Sequence, residues 1–198
     1  QLARPGLDVV SAKTFNALFT MHATTMIFLG VMPLLSAFMN YLIPLLIGAR
    51  DVAFPRLNAF SYWIYLFGAI FINIGWLRGT AGGDVPDIGW FAYANLTSVQ
   101  FSGGLGTDIW VLGLLLLGVG TLVTGFNFIV TILNMRAPGM SLMKMPVFVW
   151  TTLVTSAIII FAFPSVTVAL IMLLFDRAFA ANFFEVVKGG SVLLFQHL

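Results

Sequence analysis

Apolar positions in this chain come in four long blocks, each broken by few charges, with a fifth just opening where the sequence stops. The blocks predict helices over about Ser11 to Ile47, Pro55 to Leu77, Asp108 to Met135 and Pro146 to Leu174, with another starting near Gly190. A stretch of about 20 apolar residues spans a bilayer as helix. Each block meets that length, so the pattern predicts an all-α, polytopic transmembrane helix bundle of four full spans plus the start of a fifth. Gly48 to Arg56 and Arg136 to Met145 read as short charged turns. Arg78 to Thr107, with seven glycines and the acids Asp84 and Asp87, is long enough for a small structured cap. Residues 1–198 read as one unit. The chain opens on Gln1 and closes inside the apolar run SVLLFQHL, so it is expected to be an internal fragment of a longer protein.

Within the blocks a few polar positions carry information. Pro33 is expected to kink the first helix, which membrane helices tolerate when a neighbour takes up the freed carbonyl. In the third helix Thr121, Thr124, Asn127, Thr131 and Asn134 recur every three or four residues, forming one polar stripe on an otherwise apolar surface. Such a stripe either bonds neighbouring helices or lines a hydrated path.

Composition strengthens the membrane reading. The chain is 60% hydrophobic and 8% charged, with mean hydropathy +1.04, against about 25% charged residues in soluble domains. A net charge of +2 gives no reason to expect a nucleic-acid partner. With no cysteine, disulfides and thiolate sites are excluded, and any metal needs His, Met or oxygen ligands. The two short turns hold Arg50, Arg56, Arg136 and Lys144 in little sequence, while the other side spreads five basic residues over longer segments. By the bias of Lys and Arg toward the cytoplasm, the turns are expected inside, with Asp51 the only acid on that face.

Two residues stand out as candidate chemistry. His22 is the only side chain between Thr14 and Ala49 that titrates near neutrality. It reads as a neutral imidazole bonded to a neighbouring helix, as a proton relay, or as an axial haem ligand with Met21, Met26, Phe28 and Leu29 as an apolar wall. Asp51, between Arg50 and Arg56, reads either as a salt-bridged loop acid or as the mouth of a polar row leading through Asn40, Asn58 and Ser61, able to order a file of waters.

The runs MHATTMIFLGVMP and NYLIPLLIGARDVAFPRLN, followed in order by IGWFAYANL, GFNFIVTILNMRAPGM, MPVFVW, LLFDR and FFEVVKGGSVLLFQHL, together resemble subunit I of the haem–copper oxidases over nearly the whole chain. That resemblance implies the second to fifth helices, and the start of the sixth, of a twelve-helix core. It implies a respiratory terminal oxidase of the cytochrome c oxidase type that reduces O2 to water and translocates protons, with a quinol oxidase as the alternative. His22 would be an axial ligand of low-spin haem iron and Trp90 would lie near the haem propionates. Asp51 would open the D-type proton path, with Asn40, Asn58, Ser61, Thr121 and Asn127 along it. The high-spin haem and copper would take ligands from outside this sequence, with no catalytic residue within it. His197 would not be a metal ligand. Implied partners are oxidase subunits II and III, cytochrome c or quinol, O2 and the bilayer, in the bacterial cytoplasmic (inner) membrane. The sequence has YANL where YPPL is common in that family, and VVKGGSV where a GGGDP-like run is usual. A membrane transporter is the competing class, and it predicts internal repeats that this sequence lacks.

Overall fold

The computed structural model of the chain describes residues 3, 4, 6, 7, 9–77 and 85–198. Arg78 and Asp84, at the head of the long connection, lie outside them. Four helices are long and apolar enough to cross a membrane: α1 (Ala12–Ile47), α2 (Pro55–Leu77), α3 (Leu105–Asn134) and α4 (Val147–Phe179). A short α5 (Val192–His197) follows, and there is no strand among the described residues. The chain is a multi-pass membrane protein of all-helical fold, as its hydropathy pattern requires.

Local chemistry sets the helix ends. Ser11 caps α1 by accepting the Thr14 N–H at 3.2 Å, which supplies one of the donors a helix start leaves unpaired. Gly48 closes α1 in the left-handed region at φ 75° while Ala49 donates to the Pro44 carbonyl at 2.9 Å. That is the stop a glycine makes at little steric cost. Pro55 opens α2 at a position where its missing N–H is not needed.

Two boundaries differ from the sequence expectation. α3 begins at Leu105, three residues before Asp108. α4 continues to Phe179 instead of ending near Leu174, so Asp176 and Arg177 belong to the helix and not to a mixed-charge connection. Hydropathy falls at that pair, which is why the pattern stops there. The backbone continues because both charges are satisfied against protein: Asp176 accepts the N–H groups of Phe183 and Phe184 at 2.7 and 2.8 Å, and Arg177 pairs with Asp108.

α3 is the centre, packed on α2 at one side and α4 at the other. Small residues make the close approach possible: a Cβ on Gly113 would stand 2.6 Å from Ile72 Cγ1 and 2.9 Å from the Gly68 carbonyl oxygen. Buried side chains form two groups. One, at the end carrying the long connection, includes Met21, Ile72, Ile88, Trp110 and Leu173. The other, at the end carrying the two short turns, includes Ile43, Ile47, Val52, Phe128 and Val149. The short turns meet there, with Ala137 donating to the Ile47 carbonyl at 2.8 Å. The long connection folds into a cap over the opposite end, burying Val85, Ile88, Ala92 and Ala94.

α1 touches this bundle mainly at its extremities. Its buried residues are Ala17, Thr20, Met21 and Thr24 near the start and Ile43, Pro44 and Ile47 near the end, with none from Thr25 to Leu42. Where a kink at Pro33 was expected, the seven residues Thr25–Val31 just before it form a π-helical segment.

Candidate functional site

The turn around His22 is fixed from behind. Thr20 and Thr24, both fully buried, lie two residues to either side of His22, and at 100° per residue they occupy the opposite face of α1. Thr20 Oγ1 donates to the Asn16 carbonyl at 2.7 Å and accepts the Gly89 N–H at 2.8 Å. Thr24 Oγ1 donates to the Thr20 carbonyl at 2.8 Å and accepts the indole N–H of Trp110 at 3.3 Å. With that face held on α3 and the cap, His22 points away from the bundle. It is exposed and makes no hydrogen bond to a described residue.

The apolar wall expected around His22 is divided. Met21 is buried in the core, and Phe28 and Leu29 pack against that core. Met26 shares the face of His22, one turn on, and Leu18 and Phe19 share it one turn back; all three are exposed. The result is one imidazole without a partner among the described residues, set in an apolar strip. This donor set fits a flat, largely apolar metal macrocycle, which His22 would hold through a ring nitrogen. No group of three or more His, Cys, Asp or Glu able to hold a metal exists among the described residues.

Gly89 carries Trp90 to the same end of α1. Trp90 is half exposed, stacks edge-on against Phe91, and its indole N–H has no acceptor among the described residues. It also lines a cavity of about 210 Å³ between α3, α4 and the cap, together with Phe28, Trp110, Leu114, Phe163 and Phe195. The hydroxyls there, on Thr121 and Thr167, both donate to carbonyls of their own helices at 2.8 Å. The lining is therefore almost wholly apolar, and Thr121 faces this space.

At the other end of α1, Asp51 is exposed and makes no ion pair with Arg50 or Arg56. Its Oδ1 accepts the Val52 N–H at 2.7 Å. The next two amides are also taken by side-chain oxygens: Ala53 N–H by Thr131 Oγ1 at 2.8 Å and Phe54 N–H by Asn127 Oδ1 at 3.0 Å. Asn127 Nδ2 returns a bond to the Phe54 carbonyl at 3.3 Å. Two members of the polar stripe on α3 thus hold the turn that presents Asp51. Thr121 and Thr124 bond within α3, and Asn134 is exposed.

The polar row is only partly assembled. Ser61 is buried and donates to the Asn58 carbonyl at 2.7 Å. Asn40 is half-buried and donates to the Ser36 carbonyl at 2.9 Å, while its Oδ1 is buried without a partner. A buried unpaired oxygen keeps an acceptor open for an ordered water.

The residues missed in the sequence are the supports Thr20, Thr24, Trp110, Tyr65 and Arg177. The two threonines straddling His22 were a usable signal, since hydroxyls four apart on an apolar helix mark the face turned to protein. Arg177 gave none, because its partners lie 69 to 80 residues away. It binds Asp108 at 2.6 and 3.1 Å and the carbonyls of Thr97, Ser102 and Gly104.

The family model for cytochrome c and quinol oxidase polypeptide I matches residues 1–198. The chain is 52% identical over its full length to cytochrome c oxidase subunit 1 of Bacillus subtilis, covering 31% of that protein. It is 51% identical to the subunit of the same name from Bacillus sp. strain PS3. It is also 48% identical to quinol oxidase subunit 1 of Bacillus spizizenii, covering 30% of it. The chain spans about a third of the length of the curated relatives it matches. With the match running from first residue to last, and the helices, cap and turns in place behind His22 and Asp51, this chain belongs to the haem–copper oxidase subunit I family.

Proposed function

We propose that this chain is part of the catalytic subunit of a proton-translocating cytochrome c oxidase of the bacterial cytoplasmic membrane, one that reduces O2 to water. The observation that carries this reading is the exposed, unpartnered imidazole of His22 on a turn locked from behind, in a chain of this family. His22 would hold low-spin haem iron through one ring nitrogen, and the haem when bound would supply a one-electron relay. Thr20 and Thr24 fix the rotation of the turn, so the imidazole is held outward without spending either nitrogen on protein. The indole N–H of Trp90, without an acceptor among the described residues, would donate to a carboxylate such as a haem propionate.

At the opposite end, Asp51 would take protons from the cytoplasmic side. Thr131 and Asn127 hold the turn, and the acid keeps one oxygen free. Asn58, Ser61 and the unpaired Oδ1 of Asn40 offer sites for waters that pass protons inward. Asn127 supports this route by anchoring the turn, since its amide is committed to Phe54. Thr121 contributes least, as its hydroxyl is turned to its own helix beside an apolar cavity. The copper and high-spin haem would be held by residues outside this chain, in an assembly with subunits II and III. Similarity to a quinol oxidase subunit at 48% identity keeps quinol as the alternative donor.

The test is His22→Ala in the full-length subunit within its assembled complex. The low-spin haem band should disappear from the reduced optical spectrum while the protein still inserts. A retained low-spin band in a fully inserted variant refutes the assignment.

A further inference from the structure

The π-helical segment of α1 contains an accounting problem that Tyr65 solves. Through Thr25–Val31 the backbone bonds run one residue longer than in an α-helix, and the Met32 N–H donates to the Ile27 carbonyl. In that register the next carbonyl, Phe28, would accept from residue 33. Residue 33 is proline and has no N–H, and the α-helical donor for Phe28, the Met32 N–H, is already engaged. The Phe28 carbonyl is therefore left without a backbone donor in the middle of a span, where lipid supplies none. The Tyr65 hydroxyl, from α2, donates to it.

This junction lies against the candidate haem turn. The π segment begins at Thr25, directly after Thr24, whose hydroxyl is held by Trp110. Beyond the segment no residue is buried until Ile43. The segment's register thus decides how the anchored turn of His22 meets the long, loosely packed remainder of α1. Reverting to α register would move the Met32 N–H to Phe28 and expel one residue from the widened stretch, a rotation of up to about 100° between its two sides. π segments are often found at functional sites, and here a side-chain donor serves the orphaned carbonyl.

We propose that Tyr65 is a positioning residue for His22: its phenol replaces the amide that Pro33 lacks, locks the π register, and so fixes the orientation of the imidazole toward the haem. This rests on the reading of His22 as haem ligand. Tyr65→Phe keeps the ring and its packing and removes the donor alone. Pro33→Ala restores an N–H at the one backbone position that can serve Phe28 in the π register.

The experiment uses the full-length subunit in its assembled oxidase and reads the reduced absorption maximum and midpoint potential of the low-spin haem. Tyr65→Phe should shift both while retaining the haem, and Pro33→Ala alone should leave both near wild type. The double variant should return toward wild type. Unshifted values in Tyr65→Phe, or equal shifts with and without Pro33→Ala, overturn the proposal while leaving the haem assignment intact. If Tyr65→Phe does not assemble, assembly of the double variant supports the carbonyl role, and its failure overturns it. A His22→Ala complex that keeps its low-spin band removes the haem reading, and this proposal with it.

Discussion

α1 and α3 are both apolar on nearly every face, yet they play opposite parts. α3 buries half of its 30 residues, among them Gly113, Trp110, Asn127 and Thr131. α1 is longer and leaves Thr25 to Leu42 without a single buried residue. A helix that is hydrophobic all round offers no amphipathic stripe to aim it. Aim comes instead from small residues that admit a neighbour's backbone and from hydroxyls and amides that must find partners. α3 has both along its whole length. α1 has buried threonines only around His22, and the family resemblance puts both candidate sites at its two ends. The central helix carries the fold, and the flanking helix carries both proposed sites.

Arg177→Met should have the largest effect on this division. It strips the loop end of α3 of its ion pair, leaves Asp108 uncompensated and frees the carbonyls of Thr97, Ser102 and Gly104. The Arg177 side chain is 2% exposed and that of Asp108 28%, so the loss should approach, without reaching, the roughly 3–5 kcal/mol of breaking a fully buried pair. Denaturation of the full-length subunit in detergent should show that loss, with protease cutting first in the cap around residues 85–104. Stability within about 1 kcal/mol of wild type would mean that the cap is held by something other than Arg177.

Gly113→Ala should come next. Its Cβ meets Ile72 and the Gly68 backbone below 3.0 Å, and overpacking of this kind costs about 1–3 kcal/mol. The same substitution at Gly30, in the open part of α1, meets only the Thr25 carbonyl at 3.6 Å and should be silent in the same melt. If the two behave alike, the contrast between the helices is wrong.

Asp51→Asn should have the smallest effect on stability, within about 0.5 kcal/mol, because the side chain is exposed and an amide oxygen can still accept the Val52 N–H. In reconstituted full-length oxidase the same variant should slow proton uptake and abolish pumping. A wild-type proton-to-electron ratio would remove Asp51 from the proton path.

Four spans, their approximate ends, the two short turns and the capped connection were legible because hydropathy and turn residues act locally. A bilayer's thickness turns composition directly into helix length. The resemblance pointed to His22 and Asp51 for the same reason, each sitting in an ordered local motif. What the sequence could not decide is which way these residues face and what supports them. His22 points outward because Thr20 and Thr24 are taken by Gly89 and Trp110, the latter 86 residues from Thr24. The polar stripe of α3 divides between anchoring the Asp51 turn and bonding within its own helix. α4 outran its hydropathy because Arg177 reaches back to Asp108. The proline at position 33 was expected to disturb α1, and only the tertiary structure supplied the phenol that converts that disturbance into a fixed π segment. A local pattern determines where an element lies in the chain; a partner distant in sequence determines where its polar groups are spent.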